Sequence, residues 1–198
     1  TAAHGEFIIE AADLGRRTWL TNAPAGDPLA AAVRLTLERL GATPPPARLR
    51  VRSTIPIASG MGSGAAVSVA IIRALSGYLS QPLDDQAVSE LAYEVEKLHH
   101  GTPSGIDNTV VVTSRPVYFV RGHPIEYLRI GAPFRLLVAD TGRRSPTRLA
   151  VGDVRAGWQA HPDQYERIFD QIGAIVEAAR TTIEGRRPDD LGLLMQRN

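Results

Sequence analysis

Apolar residues recur at three- and four-residue spacing over residues 28–40, the pattern of a helix that packs one face against a core. Those positions are Leu29, Val33, Leu37 and Leu40. Gly41 follows where helices commonly end. Residues 63–79 are apolar on nearly every side, so we expect this second helix to be buried at the centre of the fold. A third helix is predicted over 85–99, with Asp84 as its N-cap.

Short runs of apolar and β-branched residues, separated by turn residues, predict strands. These runs are 7–12, 17–20, 48–55, 117–120, 125–130 and 134–139. The first two would be joined as a hairpin by the turn Asp13-Leu-Gly15. From residue 147 the pattern is helical, at 147–160, 163–184 and 189–196. We therefore predict an α+β fold, with a first domain over 1–140 and the helical start of an incomplete second domain over 141–198.

The composition is that of an ordinary globular protein. The chain has 198 residues, of which 43% are hydrophobic and 22% are charged. A net charge of +1 supplies no field that would attract nucleic acid or an anionic membrane. The absence of cysteine excludes disulfides and thiolate metal sites, and no apolar run reaches the ~18 residues that a membrane span needs. A soluble cytoplasmic protein is the default prediction.

The segment Pro56-Ile-Ala-Ser-Gly-Met-Gly-Ser-Gly-Ala-Ala66 lies between a predicted strand and a predicted helix. Its glycines would let the backbone approach an anion, which the N–H groups and the dipole of the first helical turn attract. A phosphate-binding loop and a glycine-rich turn into a close-packed helix are both open interpretations. Gly60, Gly62 and Ala65 match a loose dinucleotide-binding fingerprint, but that fold needs a strand where a second helix is predicted here. A Walker A loop is excluded, since no lysine is near.

Two carboxylates lie on either side of a turn-rich loop further along the chain. Glu96 is at the edge of the apolar stripe of the third helix, and Asp107 follows the loop His100-Gly-Thr-Pro-Ser-Gly105. Such a loop allows the two segments to converge on one point. Paired carboxylates suit Mg²⁺-dependent phosphoryl transfer, in which one holds the metal and the other takes the proton of the attacking hydroxyl. Because the apolar stretch 109–112 follows Asp107, we expect this carboxylate not to be freely solvated.

Three motifs together resemble those of the GHMP kinases, the superfamily named for galactokinase, homoserine kinase, mevalonate kinase and phosphomevalonate kinase. Residues 56–66 resemble the Pro-x-x-x-Gly-Leu-Gly-Ser-Ser-Ala-Ala phosphate loop of these enzymes. Glu96 with residues 100–108 is similar to the version in mevalonate kinases. Residues 138–147 are similar to the strand and loop that follow in mevalonate kinases of the archaeal type. The motifs occur in the expected order from about residue 28 to the end of the chain.

The resemblance implies the GHMP kinase fold, whose N-terminal domain has two layers and is like domain 2 of ribosomal protein S5. It implies ATP and Mg²⁺ as cofactors and mevalonate as the small molecule that is phosphorylated, in isoprenoid biosynthesis. It implies no nucleic-acid or membrane partner, and a homodimer is among the states that it allows.

The resemblance also implies roles for individual residues. The phosphate loop would bind ATP through Pro56, Ile57, Ala58, Ser59, Gly60, Met61, Gly62, Ser63, Gly64, Ala65 and Ala66. Ser63 and Glu96 would hold Mg²⁺, and Asp107 would be the general base toward the 5-hydroxyl of mevalonate. Thr147 matches a threonine near the transferred phosphate or the substrate, and a role as N-cap of the following helix fits it equally well.

The sequence departs from the family pattern in four places, of which Met61 for leucine is a benign apolar exchange. Gly64 stands where the pattern has a second serine, so we expect weaker positioning of the metal. The early lysine motif is not matched by His4-Gly-Glu6, and the only lysine, Lys97, would face solvent on its helix. A third, glycine-rich motif is also missing. We therefore expect the chain to be a fragment or an ordered subset of a longer protein, and to be weakly active or inactive by itself.

Two alternatives to mevalonate phosphorylation stay open at this point. One is another GHMP kinase, acting on phosphomevalonate, a sugar or homoserine, because the pocket that selects the acceptor is not visible in one sequence. The other is a non-catalytic nucleotide-binding module, which the missing lysine favours and the retained Glu96 and Asp107 oppose.

Overall fold

The computed structural model describes residues 6–56, 60–100, 103–139 and 147–198, without the side chains of residues 99, 100, 147 and 148. The chain divides into two compact units, Thr1–Ser114 and Arg115–Asn198. The glycine loop, Glu96 and Asp107 all belong to the first unit. The division of the chain into domains over 1–140 and 141–198 remains a prediction from the sequence.

A three-stranded sheet forms one layer of the first unit, as far as the structure describes it. Its strands are β1 (Ile8–Ala11), β2 (Arg16–Trp19) and β3 (Arg48–Val51). The order is β2-β1-β3, and Ile8 lies opposite Trp19 of antiparallel β2 and opposite Arg48 of parallel β3. The predicted hairpin is therefore confirmed, and the strand predicted over 48–55 is shorter than expected.

The middle strand carries a carboxylate between arginines of both neighbouring strands. Glu10 lies opposite Arg17 of β2 and Arg50 of β3, and its oxygens are 3.7 Å and 3.2 Å from their guanidinium nitrogens. Arg48 approaches the same carboxylate at 3.9 Å. The opposite charges across the strands therefore support this register.

Helices form the second layer of this unit. They are α1 (Pro28–Leu40), α2 (Ser63–Tyr78), α3 (Asp85–His100) and α4 (Ile106–Thr113). An aspartate caps α1, since Asp27 Oδ1 accepts hydrogen bonds from the N–H groups of Leu29 at 2.9 Å and Ala30 at 3.1 Å. Asp84 caps α3 by accepting from the N–H of Ala87 at 2.8 Å. The first three helices and the Asp84 cap are confirmed, whereas α4 was not predicted.

The main core lies between the sheet and the helices. Its larger side chains come from β1 and the residue before it, from the segment after β2, from α1 and α2, and from one residue of α3: Phe7, Ile9, Leu20, Val33, Leu37, Ile71, Leu75 and Val95. A second cluster joins α2, α3 and α4 through Val69, Ile72, Val88, Leu91, Ala92 and Val112. Helix α2 contributes to both clusters, and the side chain of Ile72 is fully buried. The predicted burial is thus confirmed for one side of this helix and wrong for the other, where Ala70, Arg73, Ala74, Gly77 and Tyr78 are exposed.

The second unit contains a short hairpin and helices. Its elements are β4 (Val117–Tyr118), β5 (Glu126–Tyr127), α5 (Thr147–Ala160), α6 (Pro162–Glu184) and α7 (Leu191–Arg197). The strand predicted over 134–139 is wrong, because no neighbouring strand pairs with these residues within the part of the chain that the structure describes. Leu137 in this segment is 96% exposed. Apolar alternation alone does not form a strand without a partner for its backbone hydrogen bonds.

A tyrosine and an arginine fasten the hairpin of the second unit to α6. The Tyr118 hydroxyl donates a hydrogen bond to Glu177, and this bond raises the pKa of Tyr118 above its ordinary value. The Arg180 guanidinium lies 4.5 Å from the centre of the Tyr118 ring and donates to Glu126 at 2.5 Å. The hydrogen bond to Glu126 raises the pKa of Arg180.

Replacement of the α1 cap tests the role of Asp27. Asp27 is 8% exposed, and its second oxygen is 2.9 Å from the Arg16 guanidinium. Asp27→Ala should lower the free energy of unfolding by about 1–2 kcal/mol, because two N–H groups lose their acceptor. Urea denaturation followed by circular dichroism measures the change.

Two further variants separate the cap from the ion pair. Asp27→Asn keeps an acceptor oxygen for the helix N–H groups and loses only the charge attraction to the half-exposed Arg16, so it should cost clearly less than Asp27→Ala. Asp153→Ala, at an exposed position of α5, should change the free energy of unfolding by less than about 0.5 kcal/mol. An equal effect of Asp27→Ala and Asp153→Ala would contradict the assigned cap.

Candidate active site

The first turn of α2 begins directly after a glycine loop with a left-handed backbone. Gly60 has a φ of 75°, and Gly62, the N-cap of α2, has a φ of 67°. A side chain in this conformation would cost roughly 1–2 kcal/mol, which explains why glycine occupies both positions. Ser63 opens the helix and is half-buried, whereas Met61 in the loop is 51% exposed. Residues 57–59 of the predicted phosphate loop lie outside the described residues.

Glu96 reaches the start of α2 from the neighbouring helix α3. Its side chain is buried, with 4% of the residue exposed. A Cβ atom placed on Gly64 would lie only 2.9 Å from Glu96 Oε1 and 3.9 Å from its carboxyl carbon. The carboxylate therefore occupies the space beside the Gly64 backbone that a side chain would fill.

Asp107 reaches the same point from the first turn of α4. A Cβ atom placed on Gly62 would lie 3.8 Å from the carboxyl carbon of Asp107 and 4.0 Å from its Oδ2. The expectation that Asp107 avoids free solvation is wrong, because its side chain is exposed. The apolar stretch after it forms a helix, which buries Asn108 and Thr109 and leaves Asp107 on the open side.

The two carboxylates thus lie against one short backbone segment, at Gly62 and Gly64 in the first turn of α2. Their environments differ, since Glu96 is buried and Asp107 is exposed. The N–H groups of the first turn of α2 have no acceptor within the helix and carry the positive end of its dipole. A buried carboxylate, an exposed one and these donors together suit an anion, a divalent cation and a proton transfer.

Hydrogen bonds between α3 and the start of α4 hold the two carboxylates in place. The Asn108 side chain donates to the Ser89 hydroxyl at 2.8 Å and to the Ser89 carbonyl at 3.2 Å. The Tyr93 hydroxyl donates to the carbonyl of Pro103 at 3.4 Å, which fixes the loop before α4. Sequence analysis assigned no role to these residues. The one signal in the sequence was the position of Asn108, directly after the predicted base and inside the motif of residues 100–108.

Arg73 connects the three helices of the second core cluster, α2, α3 and α4. It projects from α2, pairs with Asp85 of α3 at 2.6 Å and donates to the Val112 carbonyl of α4 at 3.0 Å. This carbonyl belongs to the last turn of α4, where no N–H group of the helix is available to donate to it. The contact contributes to the fixed placement of α4, and with it of Asp107, relative to α2.

Two further residues considered in the sequence analysis are Lys97 on α3 and Thr147 in the second unit. Lys97 faces solvent as predicted, pairs with Glu94 at 2.6 Å and lies 5.0 Å from the centre of the Tyr93 ring. Thr147 is the first residue of α5 in the second unit, and its side chain is not described. Among the described residues no group of three or more acidic, histidine or cysteine side chains could hold a metal ion. No helix among them is long and apolar enough to cross a membrane.

Comparison with known proteins identifies the family of the chain. Residues 28–115 match the model of the GHMP kinases N terminal domain. The chain is 31% identical over 175 residues to a mevalonate kinase of Pyrococcus furiosus, an alignment that covers 84% of this chain and 51% of that protein. The chain thus spans about half the length of the curated relatives that it matches.

Solved structures with the same fold agree. A crystal structure of a mevalonate kinase superposes with a TM-score of 0.70 at 19% identity, covering 98% of this chain and 66% of that one. The L. major mevalonate kinase in complex with R-mevalonate gives a TM-score of 0.67 at 31% identity, covering 85% of this chain and 53% of that one. The α+β GHMP kinase fold predicted from the sequence is confirmed by these superpositions. The chain therefore belongs to the GHMP kinases, the family whose N-terminal domain its residues 28–115 form.

Proposed function

We propose that this chain is the part of a mevalonate kinase that binds ATP and activates the acceptor hydroxyl. The proposed reaction transfers the γ-phosphoryl group of ATP to the 5-hydroxyl of mevalonate and gives 5-phosphomevalonate and ADP. The observation that carries the proposal is the convergence of Glu96 and Asp107 on the first turn of α2, at Gly64 and Gly62. Support for the acceptor comes from relatives named mevalonate kinase at 31–35% identity.

The glycine loop and the first turn of α2 bind the phosphates in this mechanism. The left-handed backbone at Gly60 and Gly62 turns the chain sharply ahead of the helix. The N–H groups of Ser63 and Gly64 then lie in the first turn, where anions are stabilised by free donors and by the helix dipole. When bound, ATP supplies the phosphoryl group, and Mg²⁺ neutralises charge on its β- and γ-phosphates.

The residues present fit Mg²⁺. This ion takes oxygen ligands and is commonly held by one or two carboxylates, with phosphate oxygens and waters completing its octahedral shell. Glu96 offers a buried carboxylate beside the open flank of Gly64, and Ser63 offers a hydroxyl at the same turn. In the proposed mechanism these two residues hold the ion, and no third acidic side chain is needed.

Asp107 is the proposed general base. Its exposed carboxylate accepts the proton of the mevalonate 5-hydroxyl as the oxygen of that hydroxyl forms a bond to the γ-phosphorus. The bond from the γ-phosphorus to the bridging oxygen breaks, and the electron pair leaves with ADP. Exposure suits this role, because the base must reach the substrate and later release its proton to water. A buried base such as Glu96 would lack that access.

Three further features of the proposal rest on the sequence alone. Thr147 would contact the transferred phosphate or the substrate, as the resemblance implies. A cytoplasmic location and a homodimer stay predictions from the sequence.

Replacement of the proposed base tests the mechanism directly. In the full-length protein, Asp107→Asn should lower kcat by about 10²–10⁴-fold, because the amide cannot accept the proton. Coupled-enzyme measurement of ADP release, with and without mevalonate, gives the rate. The thermal unfolding midpoint should stay close to that of the unmodified protein, since Asp107 is exposed.

Asp153→Asn is the matched control, because it makes the same chemical change at an exposed position of α5. It should leave kcat unchanged. A kcat for Asp107→Asn within a few-fold of that of the control would exclude Asp107 as the base.

The acceptor is tested by a screen of hydroxyl compounds with the unmodified full-length protein. We expect ADP release to depend on mevalonate, with far slower release on phosphomevalonate, homoserine or hexoses. Turnover that prefers one of these compounds would instead identify another GHMP kinase. Nucleotide binding without turnover on any acceptor would identify a non-catalytic module.

The metal role of Glu96 has its own control on the same helix. Glu96→Gln should raise the Mg²⁺ concentration for half-maximal turnover by at least about tenfold, because an amide oxygen is a weaker ligand than a carboxylate. Glu94→Gln, which alters an exposed residue paired with Lys97, should leave this concentration unchanged. Identical Mg²⁺ dependence of the two variants would contradict the assignment.

A further inference from the structure

Gly64 stands where the family pattern has a serine, and in the structure the Glu96 carboxylate lies beside it. A Cβ placed on Gly64 would lie 2.9 Å from Glu96 Oε1. Non-bonded carbon and oxygen atoms in proteins stay further apart than this, at roughly 3.3 Å or more even in weak C–H contacts. The observed position of the Glu96 carboxylate is therefore compatible with glycine at residue 64 and with no other amino acid.

The surrounding structure decides which group would move if residue 64 had a side chain. Helix α2 packs against α1 and α3 through fully buried residues such as Ile72 and Val33, so its backbone is held. Val95, next to Glu96 on α3, is also fully buried. The free end of the Glu96 side chain is thus the part that must give way.

We propose that Gly64 is a positioning residue that admits the Glu96 carboxylate to the place where the family pattern would put a second serine. The carboxylate oxygen can then lie closer to the Gly64 backbone than any side chain at residue 64 would allow. This inference rests on the proposed function for its metal part, and it replaces the expectation of weaker metal positioning. It also reverses the expected effect of restoring the serine.

The main test compares substitutions at two exposed glycines of α2. Gly64→Ser and Gly64→Ala should both weaken Mg²⁺ binding in the presence of a saturating non-hydrolysable ATP analogue, by about tenfold or more in calorimetric titrations. Affinity for the analogue without Mg²⁺ should change much less. Gly77→Ser and Gly77→Ala are the controls, because a Cβ at Gly77 meets no atom within 4 Å. They should leave both affinities unchanged.

Mg²⁺ affinity for Gly64→Ser equal to or tighter than that of the unmodified protein would overturn the proposal. A shorter side chain provides the rescue experiment. Glu96→Asp withdraws the carboxylate by one methylene group, so adding Gly64→Ser to Glu96→Asp should cost far less Mg²⁺ affinity than adding it to the unmodified protein. Equal losses in the two backgrounds would contradict the contact.

A second readout needs neither metal nor nucleotide. Alanine normally stabilises a helix relative to glycine, so Gly77→Ala should raise the thermal unfolding midpoint of the metal-free protein. Gly64→Ala should not raise it, because the gain is offset by displacement of a buried carboxylate. In the Glu96→Asp background the gain at residue 64 should reappear. Strictly additive effects of Gly64→Ala and Glu96→Asp would overturn the proposal.

The two readouts also separate this inference from the proposed function. If the unmodified protein binds no Mg²⁺ with the analogue, the proposed function and the metal part of the inference both fail. If it binds Mg²⁺ normally and the metal-free effects are additive, the positioning role of Gly64 fails alone.

Discussion

The structure of the first unit depends on one constraint: helix α2 must pack into the core and stay open at its first turn. Packing follows from its buried apolar residues, which contact α1 in one core cluster and α3 and α4 in the other. Openness follows from Gly60, Gly62 and Gly64, which bring no side chains to the start of the helix. Rigid placement and open access are both needed for a backbone that binds an anion.

This constraint explains the arrangement of the acidic residues. Helices α3 and α4 are packed on α2 and tied to each other by the hydrogen bonds of Asn108 to Ser89. Their acidic residues, Glu96 and Asp107, can therefore meet the first turn of α2 from two directions. Glu96 is buried beside Gly64 and Asp107 is exposed beside Gly62, so the two carboxylates meet this turn in different environments.

The local pattern was enough to predict the elements that depend on neighbours in sequence. Helices α1, α2 and α3 and the first hairpin appear where periodicity, caps and turn residues placed them. The segment 134–139 has the same apolar character as a strand but lacks a pairing partner among the described residues. Pairing is a long-range property, so a run of β-branched and apolar residues cannot reveal its absence.

The sequence was enough to select Glu96 and Asp107 as candidate residues, but it could not predict how they are arranged. The loop after Glu96 indicated that Asp107 could converge with it, and both residues do meet the start of α2. The exposure of Asp107 was predicted wrongly, because residues 106–113 form a helix that buries Asn108 and Thr109 and leaves Asp107 on its open side. The contact between Glu96 and Gly64 joins residues 32 positions apart in the sequence, and only the packing of α2 on α3 brings them together. For the same reason the sequence alone predicted that glycine at residue 64 would weaken the positioning of the metal, since the contact with Glu96 is not visible in it.

The central claim is that the two carboxylates have different tasks, the buried one toward a metal ion and the exposed one toward a hydroxyl proton. A crystal structure of the full-length protein with Mn²⁺, a non-hydrolysable ATP analogue and mevalonate would locate the metal by its anomalous signal. The account predicts the ion bonded to Glu96 and Ser63, at about 2.0–2.3 Å as for a small hard cation. It also predicts Asp107 hydrogen-bonded to the mevalonate 5-hydroxyl and away from the metal. An ion bonded to Asp107, or one that leaves Glu96 without a metal bond, would contradict it.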